Sequence, residues 1–427
     1  MNTTPRSPIV TNTRGHPPEF QQLIREKSEN FVGREFVFAA INEFLHKNAH
    51  GYFTLIGAPG SGKSAILAKY VTENPHVIYY NAQVEGKNRA DEFLSDICNQ
   101  LINQYSPLTP NPSPTRREGS NLPDHATEGS WFLSLLLQKI SDNLEPNQRL
   151  IIAIDALDAI DPNSQSANSN LFYLPRYLPQ KVYFLLTRRP FVRERSRLLI
   201  EAPSQVLDLG DYPEQNRDDV RVYIRQCLTP LTPLGKGGTR IEEGMAMEES
   251  SDRNSPPFLR GAGGDLKSWL ITHNISEQEF SARLTAQSEN NFMYLSQILQ
   301  AIAEGGRSAA SIAQGFDSES FEFEQLPPSL EEYYQSHLQK MQSQDLSAVE
   351  LGVLRCLTTT QANLDSPLKN QGLSVEAIAQ ILDEDEYEVE EVLEKWIEFL
   401  HQHYIDEEVH YSLYHSSFRD WLSRQIR

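Results

Sequence analysis

Five short apolar runs mark the first half of the chain, at 52–56, 77–81, 149–155, 182–187 and 205–209, with few polar positions between their apolar ones. Runs of this length without strict alternation predict strands buried on both faces. Between them the apolar residues recur at helical spacing, notably over 89–105 and 130–144. Alternating strands and helices predict an α/β fold with a mostly parallel sheet covered by helices. A helical stretch, 19–50, precedes the first strand. From about 216 to 345 the pattern is helical, as in the stripe Phe292, Leu295, Leu299 and Ile302, which reads as a core face. From 346 onward helices give way to a hairpin. Residues 374–414 order as two helices, Gln402-His403-Tyr404-Ile405, a turn at Asp406-Glu407-Glu408, and Val409 to Leu413, which predicts a winged-helix-like domain.

Two stretches break this order. Residues 106–129 and 229–265 are dense in Pro and Gly, and Pro-Leu-Thr-Pro occurs in both. Such composition supports neither a helix nor a central strand, and both are expected to be passive, disordered insertions. The polar, Pro-rich residues 1–18 are expected to be disordered as well. The domain plan is therefore a disordered N-terminus (1–18), an α/β core (19–215), a helical domain (216–345) and a winged-helix-like domain (346–427).

Charge and cysteine content narrow the partners. The 427 residues carry a formal net charge of −20, which disfavours nucleic acid and anionic membranes as partners. The three cysteines, Cys98, Cys227 and Cys356, are widely spaced and suggest neither a disulfide framework nor a metal cluster. No secretory leader and no bilayer-spanning run is recognisable, so a soluble cytoplasmic protein is expected.

The first chemistry lies just after the first strand. Gly57-Ala58-Pro59-Gly60-Ser61-Gly62-Lys63-Ser64 fits G-x-x-x-x-G-K-[ST] and precedes a helical run from Ala65 to Val71. This is the strand–loop–helix setting of a phosphate-binding loop. Main-chain N–H groups at the loop and helix start attract anions, and glycines permit close approach and positive φ. Lys63 is placed to reach β/γ-phosphates and Ser64 to ligate Mg²⁺.

The third strand ends in an acid, Leu150-Ile151-Ile152-Ala153-Ile154-Asp155, followed by Ala156-Leu157-Asp158. Asp155 is a candidate second Mg²⁺ ligand at the C-terminal end of a strand, where open α/β sheets bind ligands. Asp158 is a candidate to orient or deprotonate an attacking water. Asp161-Pro162 reads as a turn. The next strand ends in Thr187-Arg188-Arg189-Pro190; an arginine at that edge could sense a γ-phosphate, although two surface arginines would look the same.

Taken in order, Phe31-Val32-Gly33-Arg34-Glu35, the phosphate loop, Asp155 to Asp158 and Thr187 to Pro190 resemble the STAND ATPases, which include NACHT and NB-ARC types, and in particular bacterial AAA-type, NACHT-like ATP-binding proteins often fused to WD repeats. Glu289 to Leu295, Leu326 to Tyr334 and Tyr414 to Leu422 extend the resemblance over about 31–425, outside the insertions. The resemblance implies a P-loop NTPase core, with Val32, Gly33 and Arg34 lying against adenine and ribose. It implies that Arg189 is the sensor arginine and that His415 contacts the ADP β-phosphate. As a lone feature His415 also reads as a satisfied structural histidine. Two positions depart from the family pattern. Ala159 stands where a Glu is usual, which puts fast hydrolysis in doubt, and Ser416 replaces the Asp of the NB-ARC motif.

The expectation is an ATP/ADP switch with Mg²⁺, slow in hydrolysis, acting through rearrangement, self-association or a protein partner. A DNA-binding initiator-type ATPase and a nucleotide-bound scaffold without turnover remain alternatives.

Overall fold

The first apolar run becomes β1 (Gly51–Ile56), every residue of it buried. The computed structural model describes residues 16–84, 86–105, 122–166, 169–191, 197–228, 262–272, 274–303, 331–332, 334–335, 338–339, 346–359, 372–405 and 408–426. They form two compact units, Met1–Tyr212 and Pro213–Arg427. The boundary falls close to the predicted edge of the α/β core, and the second unit holds both the helical and the C-terminal segments.

In the first unit β1 is joined by β2 (Ile78–Asn81), β3 (Leu150–Asp155), β4 (Val182–Arg188) and β5 (Ser204–Asp208). The strand order is β2-β3-β4-β1-β5 and every pairing is parallel. The predicted parallel α/β sheet is therefore present. β4 stands between β1 and β3, so the strand feeding the phosphate loop and the strand ending in Asp155 are not neighbours. The register aligns the polar ends. Ile56 pairs with Arg188 on one side and Asp208 on the other, and Asn81 pairs with Asp155. β5 departs most from full burial: as an edge strand it leaves Val206 58% exposed, whereas β3 has one partly buried residue, Ile151.

Helices α1 (Pro18–Ser28), α2 (Glu35–Lys47), α3 (Lys63–Glu73), α4 (Ala90–Gln104) and α5 (Trp131–Asn143) accompany the sheet. In α4 the residues Phe93, Leu94, Ile97, Cys98 and Leu101 are fully buried, one apolar stripe at helical spacing. Each such side chain contributes about 1.5–3 kcal/mol on burial. The predicted helical stretch 19–50 is two helices, broken where Asn30, Gly33 and Arg34 take left-handed backbone angles.

The predicted insertions shrink at their edges. Residues 1–15, 106–121 and 229–261 lie outside the described residues. Residues 122–129, however, form turns, with Ala126 buried and the His125 carbonyl accepting from Trp131 Nε1 at 3.0 Å. Ala262 already begins a helix despite the two glycines that follow, because Leu266 and Leu270 bury the same segment.

In the second unit α6 (Pro213–Leu228), α7 (Ala262–Thr272), α8 (Glu277–Ser288) and α9 (Phe292–Ala303) pack on one another. Leu295, Leu299 and Ile302 of the predicted stripe are buried. Then come α10 (Ala348–Thr359), α11 (Val375–Leu382), α12 (Glu386–Lys395) and α13 (Ser416–Gln425), with β6 (Leu373–Ser374), β7 (Leu400–Ile405) and β8 (Glu408–Leu413). The antiparallel sheet runs β6-β8-β7, and Trp396, Phe399 and Phe418 fill its core. The acid run at 383–386 surrounds a helix start, with Asp385 Oδ1 accepting from Tyr387 N–H at 2.8 Å. All three cysteines are buried free thiols. Among the described residues no helix is long and apolar enough to cross a membrane.

Candidate nucleotide site

The phosphate loop joins β1 to α3. Gly60 and Gly62 sit at φ 79° and 93°, angles that cost an L side chain strain and that glycine adopts freely. At Gly57 a Cβ would come within 2.6 Å of Ser61 Oγ and 3.1 Å of Leu209 Cδ1, so a side chain there would have to displace Ser61. Ala58 accepts from the Ser61 N–H at 3.2 Å, while Ser61 Oγ is buried without a hydrogen-bond partner. Arg34, itself buried, reaches across from the start of α2 and donates from Nη2 to the Ser61 carbonyl at 2.8 Å. Gly33 is left-handed beside it, and Val32 is half-buried. The predicted Val32-Gly33-Arg34 segment is thus brought to the loop through Arg34.

Lys63 opens α3. Its ammonium donates to the Gly57 carbonyl at 2.6 Å and the Ala58 carbonyl at 3.0 Å. The residue as a whole is half-buried, but the ammonium is enclosed. Desolvation drives its pKa down to about 8 against the opposing pull of Asp158, Asp155 and Asp208, while Arg189 adds to the lowering. Four charged side chains from three strand ends therefore act on one lysine.

Asp155 is 1% exposed at the end of β3. Its Oδ1 accepts from Thr187 Oγ1, its Oδ2 accepts from Asn81 Nδ2 at 2.9 Å, and Ser64 also donates to it. Burial raises its pKa, and the hydrogen bonds from Thr187 and Ser64 oppose that rise. Ser64 and Asp155, the two residues expected to hold Mg²⁺, are thus in direct contact. Lys63 and Asp155 face the same place.

The two candidate catalytic residues are also together, but with each other. Asp158 lies on the turn Leu157–Ala159 after β3. Its Oδ1 accepts the Arg189 main-chain N–H at 3.0 Å, and its Oδ2 pairs with Arg189 Nε at 3.1 Å. Arg188 instead stacks its guanidinium 3.3 Å from the centre of the Phe191 ring. Asp161 forms the predicted turn, accepting from Asn163 N–H at 2.9 Å.

Three site residues were not singled out from the sequence. Asn81 ends β2 and reaches Asp155, while its own Oδ1 accepts from Gln83 N–H at 2.7 Å. Thr187 is fully buried and also accepts the Ala156 N–H at 2.8 Å, which fixes the left-handed turn at Ala156. Asp208 ends β5, accepts from Gly210 N–H at 2.8 Å, and has its pKa raised by burial. The available signal was one of position: Asn81 and Thr187 are polar residues closing otherwise apolar runs, and Asp208 ends a strand.

His415 belongs to the second unit and is fully buried. Nδ1 accepts the Ser417 N–H at 3.1 Å, capping α13, so Nε2 carries the proton and donates to the Ser288 carbonyl at 3.1 Å. Burial lowers its pKa, consistent with a neutral ring. Both nitrogens are engaged inside that unit. The same unit holds a cavity of about 890 Å³ between α6 and α8, lined in part by Arg217, Arg221 and Arg225. Arg217 and Arg221 are matched by Glu214 and Asp218 on their own helix, so the cavity is not a strong anion site.

Residues 30–185 match the family model described as an AAA ATPase domain. No curated protein matches the chain. Among solved structures the chain is similar to a Walker-type ATPase of Pyrococcus abyssi, with 12% identity and a TM-score of 0.54 over 93% of this chain and 97% of that one. A Drosophila ORC structure bound to DNA aligns at 11% identity and a TM-score of 0.33, covering 95% and 97% of the two chains. A RuvB mutant of Thermotoga maritima aligns at 11% and 0.30, covering 93% and 98%. The first unit thus has a P-loop ATPase-like α/β fold.

Proposed function

We propose that this AAA-type P-loop domain binds Mg-ATP and ADP and serves a STAND-type signalling switch, in which nucleotide state drives rearrangement or self-association of the chain. The observation that carries this reading is the meeting of Lys63, Ser64 and Asp155 at one sheet edge, with Ser64 donating to Asp155. Gly57, Ala58, Pro59, Gly60, Ser61 and Gly62 would cradle phosphates with main-chain N–H groups. The fit is supported by the unpartnered Ser61 Oγ and by the lack of room for a Cβ at Gly57.

Lys63 would neutralise β/γ-phosphate charge, and its depressed pKa eases the transfer of its hydrogen bonds from carbonyls to phosphate. Ser64 and Asp155 would hold Mg²⁺; bound there, the ion supplies charge neutralisation and in-line orientation of the phosphates. Arg189 would sense the γ-phosphate, and turnover would be slow because Ala159 offers no carboxylate. α11, α12 and the three-stranded sheet would be the winged-helix-like module. A role in reading DNA is disfavoured by the exposed Glu388, Glu390 and Glu391 on α12.

The test is native mass spectrometry of the full chain with Mg-ADP and with a non-hydrolysable ATP analogue. One nucleotide per chain and a change of assembly with the analogue are expected. A chain that takes up neither nucleotide would contradict the reading.

A further inference from the structure

We infer that Tyr79 is a positioning residue for Asp155, and that helix α1, by holding the Tyr79 ring, makes the response of the site to Mg²⁺ depend on a segment ahead of the first strand. This deepens the nucleotide reading above and rests on it. The geometry starts from the pleat of β2. Successive strand residues point to opposite faces, so Tyr79 and Asn81 share one face, and the parallel register sets Asn81 beside Asp155. Tyr79 is fully buried, and a buried hydroxyl needs hydrogen-bond partners.

Its partners are the two polar residues at the strand ends. Asn81 Nδ2 donates to Tyr79 Oη at 3.1 Å, and Tyr79 Oη donates to Asp155 Oδ2 at 3.5 Å. Asn81 Nδ2 also donates to Asp155 Oδ2 at 2.9 Å, while Asn81 Oδ1 accepts the Gln83 N–H at 2.7 Å. That last bond fixes the amide orientation, since only Oδ1 can accept from a main-chain N–H. The two N–H groups on Nδ2 then go one to Tyr79 and one to Asp155. The contact from Tyr79 to the carboxylate is long and weak on its own, so its larger effect passes through Asn81. With Thr187 on Oδ1, the carboxylate is steadied from both neighbouring strands.

Helix α1 holds the ring of the same tyrosine. Phe20 is fully buried and meets Tyr79 edge-on with ring centroids 5.7 Å apart, and Tyr80 at 5.5 Å. His16, just ahead of the helix, meets the Tyr79 ring edge-on at 6.3 Å. One helix can touch both tyrosines because β2 is an edge strand of the sheet. Glu19 adds an ion pair to Lys87 at 3.7 Å, and the Lys87 carbonyl accepts from Tyr80 Oη at 2.5 Å. α1 also packs on α3, which begins with Lys63 and Ser64. It therefore touches the helix that carries Ser64 and the tyrosine that steadies Asp155, the two residues proposed to hold the metal. Metal affinity is sensitive to how such ligands are oriented, so the seating of α1 is felt at the carboxylate.

The test measures the equilibrium affinity of the full chain for ATPγS in Mg²⁺ and in EDTA, for wild type, Tyr79→Phe, Asn81→Ala, the double variant of these two, and Phe20→Leu. Tyr79→Phe keeps the ring against Phe20 and removes only the hydroxyl. It should lower the strengthening by Mg²⁺ about threefold, the worth of one neutral hydrogen bond, with the affinity in EDTA kept. Phe20→Leu should shift it in the same direction, and the double variant no further than Asn81→Ala alone. By linkage, Mg²⁺ with ATPγS should slow amide hydrogen exchange in α1 of wild type more than in Tyr79→Phe. An unchanged Mg²⁺ effect in Tyr79→Phe would overturn the inference. Equal losses with and without Mg²⁺ would do the same, because they would make Tyr79 a space-filling residue only. An unchanged Mg²⁺ effect in Phe20→Leu would overturn the part assigned to α1. Wild type that took up no ATPγS in either condition would overturn the nucleotide reading itself, and this inference with it.

Discussion

At the end of the five-stranded sheet, the Lys63 ammonium and the Asp155, Asp158 and Arg189 side chains act on one another with little exposure to water, whereas in the second unit His415 is buried against the Ser288 carbonyl and the Ser417 main-chain N–H. Both regions deny water to titratable groups. In the first, the cost of desolvation is offset by neighbours of opposite charge together with hydrogen bonds, from Thr187, Ser64 and Asn81 to Asp155 and from Lys63 to two carbonyls. In the second, a neutral tautomer satisfies both ring nitrogens without any ion. Charges gathered at the strand ends fit the proposed site for an anion and its cation. A neutral histidine that caps one helix and braces another is a structural joint.

The largest test of that contrast is Lys63→Ala. It should weaken ATP and ADP binding on the order of a hundredfold with no fall in melting temperature, since it removes a desolvated charge. Calorimetric titration alongside a thermal melt reads both. There is a pH signature as well. The folded pKa of Lys63, about 8, lies below its ordinary 10.5, so the native state binds fewer protons between those values. The contribution of this group to stability therefore rises with pH across that window. Lys63→Met should remove that slope in denaturation curves compared with wild type.

His415→Ala should cost the second unit about 2–3 kcal/mol, from a lost cap and a carbonyl left unpaired, read by urea denaturation. Nucleotide affinity should not change. A tenfold loss of ADP affinity with the fold intact would return His415 to the nucleotide site and erase the contrast. Because burial lowers the pKa of His415 below 6.5, this group should destabilise the folded state as the pH falls below 6.5 and through the folded value, in keeping with a ring that must stay neutral.

Asn81→Ala should weaken Mg²⁺ dependence about tenfold, the usual scale for a partner that orients a ligand, with metal-free ADP affinity kept. Smallest of all, Arg217→Ala, which breaks an exposed pair with Glu214, should change stability by less than about 0.5 kcal/mol.

What could be read from the chain was what is local. The strand–loop–helix around Gly57 to Ser64 and all five strands follow from runs of apolar residues, and the edges found differ from those predicted by only a residue or so. What could not be read depends on which distant strands pair. Nothing near Asn81 or Thr187 announces Asp155 as a partner; only the order β2-β3-β4-β1-β5 puts them on either side of it. The same holds for Arg189, whose spacing suggested a phosphate sensor but not its grip by Asp158. β6, two residues long, is too short to leave a pattern. The two glycines at the start of α7 misled because buried leucines downstream outweigh their weak helix propensity.

The most direct measurement is the effect of Mg²⁺ on ATP affinity in wild type and in Asp155→Asn. If Ser64 and Asp155 grip the metal of a nucleotide seated on the loop, Mg²⁺ should strengthen ATP binding about tenfold or more in wild type and have little effect in the variant. Equal strengthening in both would place the metal elsewhere and contradict the site.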